Sequence, residues 1–337
     1  MKSLLSVQDL AVRLRTDTGP VDAVRGVSFT LRPDETLCLV GESGSGKTVT
    51  CETITGINPD IVAATSGRIT FDGIDLLSAD ECELRAIRGS RIAHIFQNPE
   101  NALDPVYTVG DQIIEALTLS TEITKSQARK QAIALLQRVG IPRAAKRIDD
   151  YPHQFSTGMS QRVAIAIALA PNPDLLIADE PTASLDVTVQ ARILRLLASL
   201  HAETEMAILL ITHDLRVVAT LADTITVLQE GYSVEWGSAS SIFDTPAHPY
   251  TQALFESTTR TAEGRDRVRD QSVPSTGCSY APSCPYRIDA CHKSYPAAAS
   301  VGDDPEHQAR CIHYHSDYDA EAIRQNATTI VNPHGGT

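Results

Sequence analysis

Eight consecutive residues, Gly41-Glu42-Ser43-Gly44-Ser45-Gly46-Lys47-Thr48, fit the pattern G-x-x-x-x-G-K-[ST]. An apolar run, Thr36–Val40, leads into them, and a helical pattern at 47–56 leads out. Glycines let the backbone wrap closely round an anion. Successive N–H groups then point inward, and the helix start adds partial positive charge. Lys47 reaches the β- and γ-phosphates of a nucleotide, and the Thr48 hydroxyl offers a ligand for Mg²⁺. The chemistry predicted is nucleotide binding coupled to phosphoryl transfer.

Further groups stand at the ends of other runs. The run 175–178 leads into Asp179-Glu180. Asp179 at a strand tip is suited to hold Mg²⁺ through water, and Glu180 to orient or deprotonate an attacking water. Phe155-Ser156-Thr157-Gly158-Met159-Ser160-Gln161-Arg162 places small polar residues where an apolar helix opens, and its exposed N–H donors invite an anion. Ser184-Leu185-Asp186 follows the carboxylates, Gln97 follows the run 93–96, and His213 follows Ala207–Ile211. A single Gln or His after a strand says little alone. Their order relative to the glycine-rich loop gives them weight.

Such residues need strands that end at them and helices that start from them. The runs Thr36–Val40, 93–96, 175–178 and Ala207–Ile211 read as buried strands. Helical patterns lie at 47–56, stopped by Gly56, and at 126–139, stopped by Gly140 and Pro142. Two more lie at 160–170, ended by Pro171, and at 187–200, with Ile193, Leu196 and Leu197 on one face. This alternation predicts an α/β fold with a parallel core sheet covered on both sides. Segments 7–14 and 21–31 alternate like antiparallel strands, so an antiparallel subsheet is expected to flank the core.

The chain has 337 residues, enough for two domains or for one with an appendage. Its 42% apolar and 21% charged residues exclude general disorder, collagen and a small disulfide scaffold. Lys plus Arg is 29 and Asp plus Glu is 42, a net charge of −13 that argues against nucleic-acid binding. No run approaches the ~20 apolar residues of a membrane span. Gln8, Asp9 and Arg13 interrupt any signal-peptide core, so a soluble, cytoplasmic chain is expected. Residues 257–277 are polar, carry Arg260, Arg265, Arg267 and Arg269, and read as a linker. The end at 332–336 reads as frayed, and no internal repeat is visible.

Seven cysteines are present, and Cys38 and Cys51 read as small apolar core residues. Cys278, Cys284, Cys291 and Cys311 cluster within 34 residues. In a reducing compartment such clustering suggests a metal site. The spacing alone leaves zinc, an iron–sulfur cluster and unliganded thiols open.

With its motifs in this order, the sequence resembles the nucleotide-binding subunits of ABC transporters over roughly residues 5–235. The resemblance makes Gly41–Thr48 the P-loop, Gln97 the glutamine loop and Ser156 to Gln161 the signature. It ends the carboxylate strand at Glu180, makes 184–186 the dimer loop and His213 the switch histidine. Within that family the chain looks like the D-type ATPases of dipeptide and oligopeptide importers. That likeness is carried by Phe96-Gln97-Asn98-Pro99, Leu103-Asp104-Pro105, Ala178-Asp179-Glu180-Pro181-Thr182, Leu185-Asp186-Val187-Thr188-Val189-Gln190 and His248-Pro249-Tyr250-Thr251.

The resemblance implies an ABC cassette at 1–256 with a helical subdomain at about 98–170, a linker at 257–277, and a Cys-rich extension at 278–337. It implies that ATP, with Mg²⁺ on Thr48 and Asp179, lies between one subunit's P-loop and its partner's signature. Gly41, Glu42, Ser43, Gly44, Ser45, Gly46, Lys47, Thr48, Gln97 and Asp179 would then hold the nucleotide, with Ser156, Gly158, Gln161 and Asp186 serving the shared interface. Glu180, His213, Gln97 and Lys47 would carry catalysis. The implied partners are a second cassette, expected to be a different chain, two transmembrane permeases and, indirectly, an extracytoplasmic binding protein. The implied location is the cytoplasmic face of the membrane. Related importers carry nickel, opines or sugars, and soluble ABC ATPases and ATPases for iron–sulfur assembly are the alternatives outside transport. The tail Gly277-Cys278-Ser279-Tyr280-Ala281-Pro282-Ser283-Cys284-Pro285-Tyr286 is similar to an extension that in some members holds a [4Fe–4S] cluster, which assigns the cluster to Cys278, Cys284, Cys291 and Cys311. A structural staple is the role expected, with a redox sensor or a mixed zinc site using His292, His313 or His315 as alternatives.

Two positions depart from the family. Thr157 stands where the signature normally has Gly. If that site requires positive φ, a β-branched residue is strained there and one of two ATP sites is weakened. If it is an ordinary first helical residue, Thr fits. Upstream of the P-loop, Val12-Arg13-Leu14-Arg15 lacks the aromatic that often stacks on adenine, and Leu14 is left to supply apolar contact.

Overall fold

The computed structural model describes residues 3–325 except Asn58, 99–101, Thr121, Ser184, 260–275, Asp319 and Ala322. Ser184 of the expected dimer loop, most of the expected linker and the chain end at 326–337 therefore lie outside the described residues. Among the described residues twelve strands run β1 (Leu5–Thr16), β2 (Gly19–Leu31), β3 (Thr36–Val40), β4 (Val62–Phe71), β5 (Ile74–Asp75) and β6 (Ile92–Ile95) in the first half. The second half adds β7 (Leu175–Asp179), β8 (Ala207–Ile211), β9 (Thr224–Gln229), β10 (Tyr232–Ser238), β11 (Ala299–Val301) and β12 (Asp304–Ala309). The order across the sheet is β5-β4-β1-β2-β10-β9-β3-β8-β7-β6, with β11 and β12 attached beside β10.

Strands β9, β3, β8, β7 and β6 are mutually parallel. Every residue of β3, β7 and β8 is buried, as expected for strands covered on both faces. Period-2 alternation divides them. Cys38, Val40, Leu176, Ala178, Ile208 and Leu210 join the core that the helices cover. Leu37, Leu39, Leu175, Ile177, Leu209 and Ile211 join the core shared with β1, β2 and β4. Strands β1, β2, β4 and β5 pair antiparallel, which is the expected flanking subsheet. A single parallel bridge, Tyr232 to Gly26, joins it to the core sheet.

Between β6 and β7 the chain is helical at Val109–Ser120, Lys125–Arg138, Ala144–Arg147 and Thr157–Leu169. Thr124 and Gln127 form a capping box at the second of these. The helix Val187–Glu203 starts at Asp186, whose carboxylate accepts from the N–H groups of Thr188 and Val189 at 3.0 Å each. Among the described residues no helix is long and apolar enough to cross a membrane.

The tail packs into the cassette. β12 pairs with β10 through Glu235 and Trp236. Cys278, Tyr280, Ala281 and Cys291 lie in the same hydrophobic core as β3 and β7. The join is polar and fully buried: Glu235 accepts from the N–H groups of Ala247 at 2.7 Å and His248 at 2.8 Å, and His307 Nε2 lies 2.8 Å from its Oε1.

Candidate functional site

The glycine-rich loop lies between β3 and the helix Lys47–Thr55. Two of its glycines are required by geometry. At Gly41, with φ +157, a Cβ would come within 2.2 Å of the Leu228 carbonyl oxygen. At Gly46, with φ +98, it would come within 2.7 Å of the Ala23 carbonyl oxygen. The loop is thus pressed against the β9–β10 turn, and Gly231 N–H donates to the Ser45 carbonyl at 3.1 Å.

Lys47 is buried and folds back into the loop. Its Nζ donates to the carbonyls of Gly41 and Glu42, both at 2.8 Å, and to Ser45 Oγ at 3.2 Å. These oxygens occupy the ammonium as phosphate oxygens would. Burial lowers the Lys47 pKa, while the nearby carboxylates of Glu180, Asp179 and Glu42 oppose that shift.

Strand β7 delivers Asp179 beside the loop. Asp179 is buried, and Thr48 hydrogen-bonds to it. Its Oδ1 has no hydrogen-bond partner, and burial raises its pKa. An unpartnered buried carboxylate oxygen beside a threonine hydroxyl fits a Mg²⁺ site, which needs only one or two protein ligands beside phosphate and water. Residue for residue, the arrangement suits the ion expected at Thr48 and Asp179.

Glu180 continues from Asp179 in a left-handed conformation, φ +43, which is uncommon for a residue with a side chain. Its N–H donates to the Ile211 carbonyl at 2.9 Å, which fixes the turn. Its carboxylate is held from two sides. Gln97 Nε2 donates to Oε2 at 3.0 Å, and His213 Nδ1 lies 3.1 Å from Oε1. The ends of β6, β7 and β8 thereby bring Gln97, Glu180 and His213 together, as their order along the chain predicts.

The signature residues start the helix Thr157–Leu169. Ser156 is its N-cap, but its side chain makes no cap hydrogen bond. Thr157 is absent from the described non-glycine residues with positive φ, and the helix begins at it. The strain considered for this position is therefore not present, and Thr fits as an ordinary first helical residue. Gly158 has a separate reason to be glycine: a Cβ there would meet Val189 Cγ1 at 2.8 Å. Gln161 is buried, with its Nε2 unpartnered. Asp186 caps its own helix. Leu14 packs against the β1–β2–β4 core.

Tyr250 is the site residue that sequence reasoning missed. Its hydroxyl accepts the Glu42 N–H at 3.0 Å, 208 residues along the chain. The string His248-Pro249-Tyr250 signals a family but not this contact.

Residues 24–183 match the ABC transporter family, and residues 234–291 match the oligopeptide/dipeptide transporter C-terminal region. The chain is 45% identical over 319 residues to the dipeptide transport ATP-binding protein DppD of Bacillus subtilis, covering 92% of this chain and 95% of that one. The chain belongs to the ABC transporter ATP-binding proteins. It is 43% identical to DppD of Escherichia coli K12, over 93% of this ABC protein and 97% of that one. Among solved structures it resembles the ATP-binding cassette MJ0796 in a dimeric post-hydrolysis state bound to ADP and Pi. The TM-score is 0.62 at 27% identity, covering 70% of this chain and 98% of that one. The fold is an ABC cassette of the P-loop type, and the reaction of this ABC ATPase is hydrolysis of ATP to ADP and phosphate.

The tail requires a correction. The [4Fe–4S] cluster expected at Cys278, Cys284, Cys291 and Cys311, with zinc as its alternative, is not what the structure supports. Among the described residues no group of three or more His, Cys, Asp or Glu side chains is placed to hold a metal ion. The four cysteines do line one cavity, together with His248, Tyr280 and His313. It holds about 20 Å³ of water-sized space, enough for a water molecule. Burial raises the pKa of Cys278, that of Cys284 to about 11 and that of Cys311 to about 12. Clustering in sequence was the misleading signal: Cys278 and Cys291 pack as small core residues, with Cys284 partly buried against them.

Proposed function

We propose that this chain is the ATP-hydrolysing subunit of an ABC importer that takes up di- and oligopeptides. The observation carrying this is the match to dipeptide transport ATP-binding proteins, which runs through both cassette and tail at 45% identity over 92% of the chain. In this reading residues 1–256 are the nucleotide-binding domain, with its helical subdomain at about 98–170. Residues 278–337 are an extension beyond the linker at 257–277. A second cassette, expected to be a different chain, pairs with it head to tail. Two permeases dock on the pair at the cytoplasmic face of the membrane, and an extracytoplasmic binding protein delivers peptide.

The residues have distinct roles. The loop from Gly41 to Thr48 binds the phosphates through its N–H groups, and Lys47 keeps the Gly41 carbonyl while exchanging the Glu42 and Ser45 oxygens for β- and γ-phosphate oxygens. Thr48 and Asp179 would hold Mg²⁺, which when bound offsets phosphate charge. Glu180 takes the proton of the attacking water, while Gln97 and His213 hold its carboxylate in place. Ser156 and the N–H of Gly158, at an uncapped helix start, face the phosphate held by the partner's loop.

The test is capture of the tagged chain from its native membranes in mild detergent, followed by mass spectrometry. Two multi-spanning permeases and a second ATPase are expected, with a peptide-binding protein encoded or bound alongside. Recovery of soluble partners or ribosomes alone would contradict the importer. Permeases that import nickel or opines would keep the coupling role and change the cargo.

A further inference from the structure

The peptide joining Gly41 to Glu42 is pinned at both ends. Its carbonyl accepts from Lys47 Nζ at 2.8 Å, and its N–H donates to Tyr250 Oη at 3.0 Å. The described chain has no cis peptide, so carbonyl and N–H point to opposite sides of this bond. With the carbonyl turned toward Lys47, Tyr250 lies on the far side of the loop and does not compete with a phosphate for the ammonium.

The hydroxyl is held by a buried chain of contacts. Tyr250 is 5% exposed, and its own N–H donates to His248 Nδ1 at 3.1 Å. The His248 N–H donates to Glu235 Oε2 at 2.8 Å, and the Tyr250 ring meets Tyr280 edge-on at 5.5 Å. We propose that Tyr250 is a positioning residue of the ATP site, fixing the orientation of the Gly41–Glu42 peptide so that Lys47 is set for phosphate. This links the core holding the tail cysteines to the phosphate loop. Without the hydroxyl, the part-buried Glu42 N–H loses its acceptor and the peptide is free to turn, carrying the Gly41 carbonyl away from Lys47.

The inference rests on assigning the ATP site to this loop, and the test separates the two. MgADP binding to the full-length chain is measured by calorimetry for wild type, Tyr250→Phe and Lys47→Ala. Tyr250→Phe keeps the ring and is expected to weaken binding by about tenfold, the effect of one hydrogen bond. In steady state the KM for ATP should rise by a similar factor, with kcat changed less. Wild-type affinity in Tyr250→Phe, even with a lower melting temperature, would overturn the positioning role. Wild-type affinity in Lys47→Ala would instead overturn the site assignment, and the positioning role with it. Residue-resolved amide exchange of the nucleotide-free wild-type chain gives a reading that needs no variant. Glu42 N–H is expected to be protected, and exchange as fast as that of an open loop would overturn the proposal.

Discussion

His213 Nδ1 lies 3.1 Å from Glu180 Oε1, although the two residues leave different strands and stand 33 positions apart. Gln97 closes on the other carboxylate oxygen from a third strand. The Glu180 carboxylate is therefore held from two sides, and its left-handed backbone is fixed by the pairing of β7 with β8. His213→Ala should remove one of two supports. Phosphate release is expected to fall about 10- to 100-fold, with MgATP affinity within a few-fold of wild type. A drop in affinity with an unchanged rate would place His213 in binding alone.

Glu235 is the polar centre of the join between cassette and tail. Glu235→Ala leaves two backbone N–H groups and the His307 ring without their acceptor, all of them buried. A loss of about 3–5 kcal/mol in unfolding free energy is expected by urea denaturation. A loss under about 1 kcal/mol would mean that the join relaxes or admits water.

Two histidines set an acid limit, His248 buried and His94 half-buried. Burial lowers both His94 and His248 from 6.5 to about 4. His248 also has to stay neutral at Nδ1 to accept the Tyr250 N–H. The unfolded chain binds these protons first, so the stabilisation is complete above pH 6.5 and is lost as pH falls toward 4. Each histidine accounts for about 2 kcal/mol lost by pH 5. Urea midpoints measured between pH 7.5 and 4.5 should fall across that window, and a flat profile would contradict the burial.

Thr157→Gly restores the residue usual at this signature position. Because Thr157 starts a helix without positive φ, no strain is released. The ATPase rate of the assembled complex should stay within about twofold, a difference of roughly 0.4 kcal/mol. A larger gain would show that the side chain itself crowds the phosphate.

Much of the site was readable because its parts are short and local. The runs at β3 and β8 appear in the structure with the expected limits, and β6 and β7 are displaced by a residue at most. Apolar strands buried on both faces leave a continuous signal, and Gly56 ends its helix in the left-handed conformation that glycine favours. The helix expected from 160 starts at Thr157, because a polar signature turn hides the helical start. Strand β4 carries mostly exposed residues, and β12, Asp-Pro-Glu-His-Gln-Ala, has no apolar alternation. Its place is set by pairing with β10 and by His307 on Glu235, a long-range partnership that no local pattern encodes. The same holds for Tyr250 on Glu42. The cysteines show the converse: proximity in sequence suggested a ligand set where packing made a core.

The central claim is that Glu180 is the base of a transport-coupled ATPase, and it has a direct measurement. Membrane complexes are assembled with wild-type or Glu180→Gln chain, and MgATP binding and phosphate release are measured on each. The account predicts that the variant binds MgATP with wild-type affinity while its share of phosphate release falls by about 10²- to 10⁴-fold. Undiminished release from a complex whose second cassette has been inactivated in the same way would contradict it.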